Sequence, residues 1–151
     1  IQFAPEQSPE GYIQAAQHLT PDYIYQPRYI RHPNGCTSLH RTVVVTDTLE
    51  TFAEKYRRYT GLTPVAHEGS VNFHFPQGTR LTIVDIRHAT AVLPGTLFPP
   101  IPGIAAVSFR TPDLVAQRMR LLDHGFAFSE AIGRLVVPAE QAGGVAIIFE
   151  E

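Results

Sequence analysis

The sequence predicts an α+β fold made from one strand–helix–three-strand unit used twice. Three observations carry this. Residues 40–61, HRTVVVTDTLETFAEKYRRYTG, read as a strand running straight into an amphipathic helix. The same order of elements returns after residue 104. Landmarks recur at a near-constant offset: Asp47 and Asp113 are 66 residues apart, as are Gly78 and Gly144. Gly61 and Gly125 are 64 apart, which asks for a small length change within the helix. The competing reading is an α+β sandwich whose halves match by chance.

In the opening strand, His40, Thr42 and Val44 share one face and Val43 and Val45 the other. Asp47 is the expected helix cap, with Glu50 completing a capping box. Leu49, Phe52, Ala53 and Tyr56 form the apolar stripe, and Gly61 ends the helix in a left-handed conformation. Strands are expected over 64–68, 70–75 and 80–86, with turns at Gly69 and at 76–78. Residues 89–103, with four prolines, read as a crossover loop. The second unit opens with a strand over 104–110. Its helix starts at Thr111-Pro112 and runs to Gly125, with Leu114, Val115, Leu121 and Leu122 apolar. Strands over 126–129, 135–137 and 145–150 complete it.

Residues 1–36 differ in texture. IQFA reads as the end of a strand, and SPEGYIQAAQ as a short helix capped by Ser8 with Pro9 first. Pro21, Pro27 and Pro33 then forbid a continuous helix, while Tyr23, Tyr25 and Tyr29 alternate with other residues. An arm laid over the domain surface is the expectation, ended by an Asn34-Gly35 turn.

At 151 residues, 44% hydrophobic and 17% charged, the chain suits one globular domain with an extension. A net charge of −2 without a long basic run argues against a nucleic-acid or anionic-membrane surface. No apolar run approaches the roughly 18 residues of a membrane helix. The single cysteine, Cys36, favours a reducing compartment, the cytoplasm. The chain opens on Ile1 rather than methionine, so an upstream segment stays open.

The repeat, with HRTVVVTD, SFRTPDLVAQRM and the closing GGVAIIFEE, resembles the vicinal oxygen chelate superfamily and its glyoxalase-like domain proteins. The stretch QPRYIRHPNG looks like a lead-in that some of them carry after a preceding module pair. The resemblance implies two paired βαβββ modules forming a cupped mixed sheet, helices outside and a ligand cavity inside. It implies an arm over 1–36 and a paired-module domain over 37–151, with modules at about 37–88 and 104–151. It also implies a divalent metal on four side chains, one from the first and one from the last strand of each module. Those positions fall on His40, Thr82, Ala106 (or Ala105) and Ile148, so three of the four ligands are absent. No cofactor is expected with assurance; a divalent metal at a non-standard site of His40, His74 and Glu150 is the remaining option.

Alternation gives a separate reading. Val43, Val45, Val71, Phe73, Leu81, Ile83, Val107, Phe109, Val145, Ile147 and Phe149 are expected beneath the helices. Their neighbours His40, Thr42, Asn72, His74, Arg80, Thr82, Ser108, Arg110, Ala146, Ile148 and Glu150 would line the opposite face. That mostly polar set suits a small polar or anionic molecule, with Arg80 and Arg110 as carboxylate forks. A sheet with one face in water shows the same alternation. His18 and His32 read as surface residues, and His67, His88 and His124 as turn or helix-end residues. Cys36 reads as an inert thiol.

Three functions follow. The first is a binding protein for a small organic molecule, using His74, Arg80, Thr82, Ser108, Arg110 and Glu150. The second is a lyase, isomerase or ring-cleaving dioxygenase with His40 as general base or sole surviving ligand. The third is a structural half of a larger assembly, a homodimer or a partner of an upstream module, docking through the Tyr-rich arm.

Overall fold

The computed structural model describes residues 2–30 and 32–151. Ile1, which opens the expected strand end, and Arg31, within the expected arm, lie outside the described residues. The strands are β1 (Ser38–Thr46), β2 (Val65–His67), β3 (Ser70–His74), β4 (Arg80–Asp85), β5 (Gly103–Arg110), β6 (Ser129–Ala131), β7 (Arg134–Val137) and β8 (Ala146–Glu150). Helices are α1 (Pro27–Ile30), α2 (Leu49–Thr60), α3 (Ile86–Val92) and α4 (Leu114–Asp123). The strands form one mixed sheet in the order β2-β3-β4-β1-β5-β8-β7-β6. β1 and β5 pair antiparallel at its centre, and each pairs parallel with the last strand of its own unit, β4 or β8. The expected double βαβββ arrangement is thus present, and the units are joined through their first strands.

Both long helices cover the same side of the sheet. Phe52 and Tyr56 of α2 pack on Val44, Val71, Phe73, Leu81 and Ile83. Leu121 of α4 packs on Leu135, Val137 and Phe149, with Phe109 and Ile147 alongside. α3 lies on the opposite, inner side, where Ala89 and Leu93 meet Val43, Val45, Val84, Ala105, Ala106, Ala146 and Ile148.

Local chemistry shifts several boundaries. β1 runs on to Thr46, whose Oγ1 accepts from the Thr48 amide at 3.2 Å, so Thr48 rather than Asp47 is the α2 N-cap. Asp47 stays exposed, and the capping box with Glu50 does not form. Gly61 ends α2 at φ 70°, in the left-handed region that glycine adopts without steric cost. In the second unit Asp113, not Thr111, is the cap, its carboxylate accepting from the Ala116 amide at 2.8 Å. Thr111 instead donates its amide to the Glu150 carbonyl and extends the sheet. The crossover is not loop throughout: Asp85 caps α3 by accepting from the Arg87 amide, and its carboxylate also binds the Arg87 guanidinium. That pairing holds the Asp85 carboxyl well below the usual carboxylate range. His88 is therefore helical, and its ring lies against Gly69, where a Cβ would come within 2.2 Å of it. The strand expected over 126–129 forms instead as β6.

The arm has little regular structure of its own. Ser8 ends a single 3-10 turn, Pro5–Gln7, rather than opening a helix, and Gln2 bridges Gln14 as the chain doubles back. Its first part is fixed by α2, while Arg120 of α4 donates to the Asn34 carbonyl near its end. The Phe3 ring stacks on Tyr59 at 4.1 Å between centroids. The wholly buried Glu10 carboxylate accepts from Lys55 Nζ at 2.7 Å and from the Tyr56 hydroxyl at 2.7 Å. Burial, reinforced by Glu10, pushes the Tyr56 phenol far above its ordinary value. Removing one partner of a buried, hydrogen-bonded pair leaves the others unsatisfied, at a cost of about 3 kcal/mol or more. Glu10→Ala is accordingly expected to lower the melting temperature by several degrees and to open the first thirty or so residues to limited proteolysis; an unchanged melt would remove this anchor.

Candidate ligand site on the inner sheet face

The site begins with an irregularity in β1. Along the β1–β5 ladder Leu39 faces Phe109 and Arg41 faces Ser108, so His40 is an extra residue with no partner of its own. A bulge of this kind breaks the alternation and turns neighbouring side chains toward one side. Beyond it the faces of β1 are the reverse of the expected ones. Val44 lies under α2, whereas Val43 and Val45 belong to the inner cluster beneath α3. Thr42 pairs with Leu81 and Val107, on the helix side. His40 still reaches the inner face, and Arg41, which alternation alone would put with the helices, joins it there.

A second shift, between Val43 and Val44, places Ala105 and Ala106 together in the inner cluster. The remaining strands follow their expected faces. Val71, Phe73, Leu81, Ile83, Phe109, Ile147 and Phe149 lie on the helix side.

The inner face has two zones. Around Ala106, Ala146 and Ile148 it is apolar and sealed by α3 and Leu93. Beyond that lies a polar zone across β3, β4, β1, β5 and β8. In register, Arg41 sits between Arg80 and Ser108, and Arg110 between Ser38 and Glu150. Fully buried Ser108 donates its hydroxyl to Glu150 Oε1 at 2.5 Å. The same oxygen lies 3.9 Å from His40 Nε2, which is 3.4 Å from Arg80 Nη2. Thr82 Oγ1 donates to Asn72 Oδ1 at 2.7 Å, one strand away from this cluster. His74 is exposed beside Arg80 and has no contact with His40 or Glu150 among the described residues.

Charge in this zone is unbalanced. Arg41, Arg80, Arg110 and Arg134 act electrostatically on His40, Glu150 or one another, with Glu150 the one carboxylate among them. Burial lowers the His40 pKa from its ordinary 6.5; Glu150 opposes this, and Arg110, Arg80 and Arg41 add to the lowering. Burial likewise lowers Arg41, which nonetheless stays protonated because a guanidinium starts so high. Three buried nitrogens, His40 Nδ1, Arg41 Nε and Arg80 Nε, have no hydrogen-bond partner among the described residues. Uncompensated donors in a cationic environment favour an incoming acceptor.

The superfamily's metal does not fit here. Ala106 and Ile148 carry no donor and are fully buried in the apolar zone, and the Thr82 hydroxyl is engaged by Asn72. No three His, Cys, Asp or Glu side chains among the described residues approach closely enough to share an ion, so His40, His74 and Glu150 do not assemble as a displaced site. The surrounding guanidiniums would also repel a divalent cation. Alternation located His40, Arg80, Ser108, Arg110 and Glu150. It missed Arg41 and Arg134, and only the unusual HR pair at the start of an otherwise apolar strand hinted at the first.

No protein-family model matches the sequence, and no curated protein matches it either. Solved structures do. Methylmalonyl-CoA epimerase from Mycobacterium tuberculosis superposes with a TM-score of 0.59 at 18% identity, over 83% of this chain and 95% of that one. A methylmalonyl-CoA epimerase in complex with methylmalonyl-CoA and NH4+ gives 0.52 at 15% identity, covering 76% and 93%. A hypothetical protein from Bacillus halodurans C-125 gives 0.56 at 10%, covering 76% and 93%. At such identities the likeness is one of architecture, and with the paired units described above it establishes that this chain has the vicinal oxygen chelate fold.

Proposed function

We propose that this protein binds a small anionic organic molecule on the inner sheet face, without the four-ligand metal of its superfamily. The carrying observation is the set of unpartnered buried nitrogens on His40, Arg41 and Arg80 within a cluster of four arginines and one glutamate. Arg41 and Arg80 take the anionic group, Arg110 and Arg134 add to the local potential, and Ser108 holds Glu150 clear of them. That a neighbour of the same fold is seen with methylmalonyl-CoA supports a carboxylate or acyl thioester as the ligand class. The proposal keeps the division into an arm, 1–36, and a paired-module domain, 37–151, and a reducing, cytoplasmic setting for the lone Cys36. Cys36 itself is a poor nucleophile, since burial raises its thiol pKa.

A second reading makes the protein an enzyme with His40 as general base. It is favoured by one observation: burial and the arginines keep the imidazole neutral near pH 7, so one ring nitrogen carries no proton. Exchange of the α-proton of methylmalonyl-CoA into deuterated water, abolished by His40→Gln, would distinguish catalysis from binding alone.

Calorimetric titration with methylmalonate and methylmalonyl-CoA tests the binding reading. Arg80→Met is expected to weaken binding at least tenfold, the value of one charge-assisted hydrogen bond. Raising salt from about 0.1 M to about 1 M, which shortens the Debye length from about 10 Å to about 3 Å, is expected to weaken it further. No heat for either compound, or an unaffected Arg80→Met, would remove the site.

The His40 shift also carries a pH dependence. A histidine whose pKa is lowered by folding binds protons more readily when unfolded, so it contributes a loss of stability as pH falls through 6.5. His40→Gln is therefore expected to show a shallower fall in melting temperature between about pH 7.5 and about pH 5.5 than the wild type. Parallel curves would show that His40 does not titrate abnormally.

A further inference from the structure

The arginine cluster occupies the inner face of the sheet. On the opposite side of the sheet a groove of about 340 Å³ runs between α4, β7–β8 and the Asn34 turn. Its floor is apolar: Leu121, Val137, Ala142, Ile147 and Phe149. A neighbouring hollow reaching to Cys36 shares Asn34, Ile147 and Phe149 with it. No carboxylate lines the groove among the described residues, and its polar rim comes from Asn34, Gln117, Arg120, His124 and Gln141. The rim oxygens are already engaged. Gln117 Oε1 accepts from Arg120 at 2.9 Å, Gln141 Oε1 from the Ala127 amide at 2.8 Å, and Asn34 Oδ1 from the Cys36 amide at 3.0 Å. His124 donates Nδ1 to the Arg120 carbonyl at 2.8 Å, which leaves Nε2 of the neutral ring as an acceptor, and Arg120 is the only guanidinium or ammonium among the described lining residues. Gln117 is only 2% exposed, and Arg120 spends a single nitrogen on Asn34 and Gln117.

We propose that this outer groove is a second binding site, for an amphipathic carboxylate whose apolar chain lies on Leu121, Val137, Ile147 and Phe149 and whose head group meets Arg120 and Gln117. The volume lies at the low end of small-ligand sites, roughly 300–1,000 Å³. A guanidinium beside an apolar floor, with no acid among the described lining residues, selects an anionic acceptor on an apolar body. The sheet separates this site from the arginine cluster, so the two are independent.

Titration calorimetry with octanoate, octanol and acetate tests it. Octanoate is expected to bind, octanol at least about tenfold more weakly because it lacks the charged head, and acetate not detectably. Ala142→Phe, which fills the groove from a partly exposed position, is expected to cut octanoate affinity at least about tenfold at unchanged melting temperature, while Arg80→Met leaves it alone. Should Ala142→Phe not fold, Arg120→Met decides: the octanoate-to-octanol preference is expected to collapse to about one. The proposal is overturned if octanoate does not bind, if octanol binds as well, if Ala142→Phe has no effect, or if Arg80→Met abolishes binding. It is equally overturned if light scattering shows a dimer that Ala142→Phe makes monomeric, for then a second copy occupies the groove.

Discussion

The structure depends on the antiparallel seam between β1 and β5. It joins the two units into one sheet, and every inner-face residue takes its position from how those strands align. The seam is irregular at two points, His40 on β1 and Ala105 on β5. A regular ladder would send His40 and Arg41 to opposite faces. The bulge brings both to the same face, beside Arg80 and Glu150, and so concentrates charge where the paired units meet.

That concentration explains why the two zones of the inner face differ. Near α3 the strands carry alanine, valine and isoleucine, and the crossover folds down to cover them. They include Ala106 and Ile148, two of the positions at which the resemblance implied metal ligands, and both are fully buried in ordinary apolar packing. In the polar zone, partly exposed guanidiniums surround one carboxylate, and the nitrogens among them that are buried carry a cost unless acceptors reach them. Glu150 offsets part of the excess electrostatically, while the Ser108 hydroxyl donates to one of its oxygens. Three buried nitrogens there, His40 Nδ1, Arg41 Nε and Arg80 Nε, have no hydrogen-bond partner among the described residues.

The arm shows another constraint at work. A chain with many prolines and few backbone pairings gains little from its own secondary structure. It is held instead by side chains on α2, with Glu10 buried against Lys55 and Tyr56 and Phe3 stacked on Tyr59. Because α2 packs through Tyr56 on Phe73, the arm is coupled to the core of the first unit. Its tyrosines 12, 23, 25 and 29 remain exposed.

Local signals in the sequence were enough for the repeat, the unit order, the glycine that ends α2, and the two faces of β3, β4, β5 and β8. They hold because period-two alternation and glycine's freedom at positive φ are properties of a few adjacent residues. Tertiary structure decided the rest. Which way β1 faces depends on a bulge defined by its partner strand, about 65 residues away. Thr48 displaced Asp47 as a cap because β1 pairs for one residue more. Glu10 became an anchor because Lys55 and Tyr56 arrive from 45 and 46 residues along the chain. Arg41 joins a charge cluster on the inner face because three other strands bring Arg80, Arg110 and Arg134 to it. Where a residue's role is set by neighbours distant in sequence, only the folded chain can assign it.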